Sequence, residues 1–141
     1  MKPLKRIMLI DDDEVSSYIF SKLITISNFA KQIQTFDNAK EALEYLKKHS
    51  DQPDTLPEII FLDLLLFDMD GWGFLDQFEL LEKSVREKIH IVILTTSFYE
   101  KDKDRAGNYS SVIKFIQKPI TTDHLMDILN DLKKKMTFQV F

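Results

Sequence analysis

At 141 residues, 44% of them apolar, the chain is long enough to bury one full core and too short for two, so we expect one domain over 1–141, with a core of about 5–136 and a short C-terminal tail. The absence of cysteine excludes disulfide and thiol chemistry, and a net charge of −4 argues against nucleic acid as the main partner. No apolar run approaches a membrane span, and the start turns acidic at Asp11, too early for a secretory leader; a cytoplasmic protein with no membrane partner is expected.

Ile7, Met8, Leu9 and Ile10 form an unbroken apolar run that ends in Asp11, Asp12 and Asp13. Such a run, without alternation, marks a strand covered on both faces of a parallel sheet. Val15, Ile19, Leu23 and Ile26 recur at helical spacing, with Asp13 or Glu14 at the helix start, where the macrodipole favours negative charge. Residues 32–36 form a short second strand, and Asn38 with Glu41 reads as a capping box for a second helix running to about Lys48. The polar loop 49–57 leads to the central strand, where Ile59, Ile60, Phe61 and Leu62 run straight into Asp63.

Beyond it lies a loop ending at Gly71, in which Asp68 and Asp70 read as turn formers. Phe74, Leu75, Phe78 and Leu81 mark a third helix that ends near 83–87. Residues 90–94 are a fourth apolar strand ending in Thr95, with Thr96 and Ser97 as loop hydroxyls. A short polar helix falls within 101–109, and 112–116 form a fifth strand closed by Gln117, Lys118 and Pro119. Thr121 or Thr122 caps a last helix with Leu125, Ile128, Leu129, Leu132 and Met136 as its buried stripe.

Five strands alternating with helices predict an α/β fold, a flavodoxin-like doubly wound (βα)5 with a five-stranded parallel sheet in the order 2-1-3-4-5. That order makes the first and third strands neighbours, so Asp11, Asp12 and Asp63 gather at one edge, with Thr95 and Lys118 arriving from the fourth and fifth. Three crowded carboxylates repel, so one takes a proton or a cation binds. Hard oxygen ligands favour Mg²⁺. Lys118 holds an added oxyanion as a point charge, and the Thr95 hydroxyl donates to the same group. These parts suit phosphoryl transfer onto Asp63.

The segments LIDDDEV (9–15), FLDLLLFDMDG (61–71), VILTTS (92–97) and FIQKP (115–119) resemble a CheY-like receiver domain of two-component response regulators, over nearly the whole chain. The resemblance implies that Asp63 accepts a phosphoryl group from the phosphohistidine of a sensor histidine kinase or histidine phosphotransfer protein. It implies that Asp12, Asp63 and the Leu65 backbone carbonyl ligate Mg²⁺, with Asp11 helping through water, and that Lys118 pairs with the phosphoryl group. It further implies a cis Lys118–Pro119 bond and a switch in which Thr95 is drawn to the phosphate while Phe115 turns inward. The output would be an altered surface for a downstream protein target; the chain would not be an enzyme, and its end after the last helix reads as leaving no effector.

Three departures stand out. Leu65 replaces a frequent asparagine and is expected to slow the approach of water to the phosphoryl group. Phe67 replaces a common proline, which would leave the loop less rigid, and 109–111 lack the glycine usual before the fifth strand, which leaves the shape of the fourth helix open. An aspartyl-nucleophile phosphatase of the haloacid dehalogenase kind shares the acid, Mg²⁺ and lysine, but needs a second acid where Leu65 stands. A pseudo-receiver that works without phosphate is opposed by the intact acids, hydroxyl and lysine. His49, His90 and His124 fall in separate elements, which argues against a histidine metal site. Trp72 is expected to pack behind the loop, Lys133 to Lys135 to complement a helix C-terminus, and 137–141 to fray.

Overall fold

Consecutive residues of each central strand enter different cores. Ile7, Leu9, Ile59, Phe61, Val92 and Leu94 belong to one apolar cluster, and Met8, Ile10, Ile60, Leu62, Ile91 and Ile93 to the other. Because side chains of a strand alternate between faces, a sheet covered on both sides needs apolar residues at every position, which is why these runs show no alternation.

The computed structural model describes residues 2–96 and 99–140, the last six of these by backbone alone. Strands β1 (Leu4–Ile10), β2 (Ala30–Phe36), β3 (Ile59–Asp63), β4 (His90–Thr95) and β5 (Val112–Gln117) form one parallel sheet in the order β2-β1-β3-β4-β5. Helices α1 (Glu14–Ser27) and α6 (Thr122–Val140) cover one face through Phe20, Ile24, Leu125 and Ile128. The other face carries α2 (Ala39–Lys48), α3 (Gly71–Phe78), α4 (Lys83–Arg86) and α5 (Glu100–Ala106). This is the expected flavodoxin-like (βα)5 arrangement.

Local chemistry sets the helix starts. Asp13 caps α1 by accepting from Val15 and Ser16 N–H, Asn38 caps α2 through Glu41 N–H, and Asp70 caps α3 through Gly73 N–H. At α6 the cap is reciprocal: Thr121 Oγ1 accepts from His124 N–H, and His124 Nδ1 accepts from Thr121 N–H.

Several expectations change. The residues that mark α1 do not define its buried face: Phe20 and Ile24 are buried against the sheet, while Val15, Ile19 and Ile26 are exposed. Apolar residues occupy the exposed side of this helix as well as the buried one, with Glu14, Ser17, Ser21 and Thr25 as a polar flank, so spacing alone does not set its phase; the T-shaped contact of Phe20 on Phe61, 4.9 Å between centroids, does. The third predicted helix breaks into α3 and the single turn α4. Leu80 and Leu81 N–H bond three residues back, to Gln77 and Phe78 carbonyls, and Arg86 Nε donates to the Leu81 carbonyl at 2.8 Å. Trp72 packs sideways, stacked 6.1 Å from Tyr109 with the Arg105 guanidinium 4.4 Å over its ring. Lys133 to Lys135 lie inside α6, whose backbone runs on to Val140 where fraying was expected. The readings placed on Ser97, on Met136 as a core residue and on the side chains of 137–141 lie outside the described residues.

Candidate functional site

The register of the sheet builds the site. Ile10 pairs with Leu62, so the next residues, Asp11 and Asp63, leave β1 and β3 side by side where the strand order reverses. Thr95 pairs with Gln117, which delivers Lys118 one step beyond the end of β5, and the Thr95 carbonyl accepts from Lys118 N–H at 2.7 Å. Open α/β sheets bind ligands at this switch point.

Among the described residues the buried polar side chains are Asp11, Asp63 and Thr95, at 4%, 7% and 2% exposure. All three stand at this edge. Lys118 Nζ donates to Asp11 Oδ2 (2.8 Å), Asp63 Oδ2 (3.0 Å) and Ser16 Oγ (3.1 Å), which uses every proton of the ammonium. The other oxygen of each acid meets a backbone amide: Asp13 N–H lies 2.9 Å from Asp11 Oδ1, and Leu65 N–H lies 3.0 Å from Asp63 Oδ1. The Lys118–Pro119 peptide is cis.

Burial pushes the Asp63 carboxyl above the ordinary carboxylate range; the Leu65 amide and Lys118 offset part of this, and the neighbouring Asp11 charge adds to it. Burial alone would lower Lys118, but its bonds to Asp11 and Asp63 outweigh that and hold the ammonium above its usual value. The lysine is therefore a fixed positive charge at neutral pH.

Asp12 is half-buried, and its carboxylate completes a group with Asp11 and Asp63 whose oxygens lie within 4.8 Å of one another. One ammonium against three carboxylates leaves two negative charges uncompensated. Hard oxygen donors with that residual charge fit a divalent cation such as Mg²⁺. The histidines are engaged elsewhere: His49 stacks on Tyr45 at 4.0 Å, and His124 caps α6.

The connection from β3 to α3 leaves the sheet edge directly after Asp63. Gly71 N–H donates to the Leu64 carbonyl at 2.9 Å, and a Cβ at Gly71 would lie 2.7 Å from Leu64 Cα, so only glycine permits this closure. The Leu65 side chain, two residues past Asp63, is exposed. Phe115 pairs with Ile93 in the sheet and is half-buried against the α2–α3 core.

Ser16 was not singled out from the sequence. Its signal is position: it lies in the first turn of the helix that follows the acid triplet, where side chains lean back toward the strand end. Asp68 lies in the bend at 67–69, as expected of a turn former, and its carboxylate also reaches α2.

A 2-1-3-4-5 parallel sheet with an acidic pocket and a lysine at its switch point defines the CheY-like class of α/β domains. The family model for the response regulator receiver domain matches residues 7–130, and the chain belongs to that family. It is 30% identical over 129 residues to a probable methanogenesis regulatory protein, FilR2, of Methanothrix harundinacea, covering 91% of this chain and 81% of that protein. It is 31% identical to hybrid signal transduction histidine kinase B of Dictyostelium discoideum over 94% of this chain, which spans only 7% of the kinase. A two component response regulator from Cytophaga hutchinsonii shares its fold, with a TM-score of 0.87 at 22% identity over 94% of this chain and 98% of that one. Receiver domains are signalling domains; they typically accept a phosphoryl group from histidine kinases and bind Mg²⁺ at a cluster of aspartates. Among the described residues no helix is long and apolar enough to cross a membrane.

Proposed function

We propose that this chain is a single receiver domain, over 1–141, in which Asp63 is the phosphoacceptor and Lys118, Asp11, Asp12, Thr95 and Phe115 serve its phosphorylation and readout. The observation that carries this reading is the Lys118 ammonium, held between the Asp63 and Asp11 carboxylates at 3.0 and 2.8 Å. An Asp63 oxygen attacks phosphorus, the O–P bond forms as the donor's P–N bond breaks, and the imidazole leaves with that electron pair. The donor is a sensor histidine kinase or a histidine phosphotransfer protein. Lys118 turns from the carboxylates to the incoming phosphoryl oxygens, as a preorganised charge aimed where negative charge develops.

Asp12, Asp63 and the Leu65 carbonyl would hold Mg²⁺, with Asp11 acting through water. When bound, the ion supplies charge neutralisation at the acceptor and the phosphoryl oxygens. Thr95, at the end of β4, donates its hydroxyl to the phosphoryl group, and Phe115 on β5 follows inward. Phosphorylation adds roughly 1.5 to 2 negative charges. A unit-charge contact at about 4 Å is worth about 4 kcal/mol near a protein surface. Inverting a 1:99 population takes about 5.5 kcal/mol, so two such contacts suffice. The output is a changed surface for a downstream protein, with neither nucleic acid nor membrane as a partner, in the cytoplasm.

A haloacid dehalogenase type of turnover lacks support at the position that would carry its second acid, where Leu65 stands. Incubation with Mg²⁺ and acetyl phosphate, followed by intact-mass analysis, tests the reading. Wild type gains one phosphoryl group and Asp63→Asn gains none. Equal labelling of both would refute it, and steady hydrolysis of a phosphate ester would favour the phosphatase.

A further inference from the structure

Past Leu65, the loop makes a second attachment that acceptor chemistry does not require. Asp68 is exposed, yet its Oδ1 accepts from Ala39 N–H at 3.2 Å and its Oδ2 from Lys40 N–H at 3.0 Å. Asn38 Oδ1 takes Glu41 N–H at 2.9 Å. The first three amides of α2 are thus satisfied, two of them by a residue some thirty positions later in the chain. Burial would raise the Asp68 carboxyl, but the amides of Lys40, Ala39 and Met69 outweigh it and hold the group below the ordinary range.

The post that Asp68 grips is firm. Ala39, Ala42, Leu43 and Leu46 of α2 are all buried in the core shared with β1 and β3. The loop itself has little packing to stiffen it, since Phe67 at its middle is 96% exposed. The backbone of Leu65 lies between the strand end, where its N–H meets Asp63 Oδ1 at 3.0 Å, and the turn closed by Gly71 N–H on the Leu64 carbonyl at 2.9 Å.

We propose that Asp68 is a positioning residue for the phosphorylation site: by holding the N-terminus of α2 it fixes the 64–70 loop, and with it the Leu65 backbone, relative to Asp12 and Asp63. This rests on the reading of Asp12, Asp63 and the Leu65 carbonyl as the Mg²⁺ ligands. Asp68 touches neither the metal nor the phosphoryl group; it acts through the loop.

Two measurements on the full chain test it, with Asn38→Ala as the matched control, because that change removes a cap from the same helix without touching the loop. In calorimetric titration with Mg²⁺ alone, Asp68→Ala weakens binding about tenfold, at the low end for residues that orient metal ligands. Asp68→Asn, which keeps one acceptor oxygen, recovers part of the loss, and Asn38→Ala binds as wild type does. In Mg²⁺-free buffer, amide exchange at Leu65 and Gly71 speeds up in Asp68→Ala and not in Asn38→Ala. Wild-type affinity in Asp68→Ala, equal weakening in Asn38→Ala, or unchanged exchange at Leu65 and Gly71 would overturn the proposal. Failure of wild type to bind Mg²⁺ would instead sink the ligand assignment on which it rests, and would overturn the positioning role with it, whereas the exchange data would still report whether the tether exists.

Discussion

Asp63 and Asp68 stand five residues apart on one connection, and their surroundings push the two carboxyl groups in opposite directions. Asp63 is buried beside a second acid, and desolvation disfavours its charge more than one amide and a shared lysine favour it. Asp68 lies at the surface, where desolvation also opposes its charge but the amides of Lys40, Ala39 and Met69 together outweigh it and stabilise the anion. The contrast separates a carboxylate kept under electrostatic tension, ready for a new partner, from one that is satisfied and serves as scaffold. Functional groups are commonly found in the first condition.

The largest effect should come from the lysine that relieves this tension. Lys118→Ala leaves Asp11 and Asp63 facing each other without their shared ammonium, and breaking such a buried pair costs about 3 kcal/mol or more at neutral pH. Phosphoryl uptake from acetyl phosphate should fall about a hundredfold, as for loss of one preorganised donor. Urea unfolding and labelling kinetics check both, and Asp11→Asn in the same chain should restore part of the stability but not the uptake.

The two acids should then part in their response to pH. The folded pKa of Asp63 lies above its unfolded value, so the native state binds the proton more tightly and this contribution to stability is lost as pH rises through the carboxylate range. In Mg²⁺-free buffer, Asp63→Asn should therefore melt higher than wild type at neutral pH, with the gap closing on acidification. Asp68 has a lowered folded pKa, so its contribution is present above the unfolded value and lost as pH falls through the folded one. Asp68→Ala should cost about 1 kcal/mol at neutral pH, typical of a lost helix cap, and nothing in strong acid. Melting curves across pH that moved in parallel for the two variants would erase the contrast. The smallest effect belongs to Leu65→Asn, which should shorten the lifetime of the phosphorylated form severalfold without altering its formation, as followed by loss of mass after the donor is removed.

Much of this was legible in the chain itself. The strand ends were readable because continuous apolar runs in β1, β3 and β4 stop at Asp11, Asp63 and Thr95, and the doubly wound order then brings those ends together. The phase of α1 was not, because Val15, Tyr18, Ile19 and Ile26 make its exposed side apolar too, and the polar stripe of Glu14, Ser17, Ser21 and Thr25 runs along a flank. The break after α3 was hidden by Glu79, Leu80, Leu81 and Glu82, all good helix formers, and shows itself in the three-back bonds of Leu80 and Leu81 N–H and in the Arg86 side chain that caps the Leu81 carbonyl. The partners of Asp68 and Ser16 lie far away in sequence, at Ala39, Lys40 and Lys118, and local patterning carries no record of such contacts.

The central claim is that Asp63, held with Asp11 by the Lys118 ammonium at the end of β3, is the group that takes the phosphoryl. Borohydride reduction after incubation with Mg²⁺ and acetyl phosphate converts an aspartyl phosphate to homoserine, which peptide sequencing by mass spectrometry then locates. The account predicts homoserine at position 63 alone; homoserine at Asp11, Asp12 or Asp68, or none at all, would contradict it.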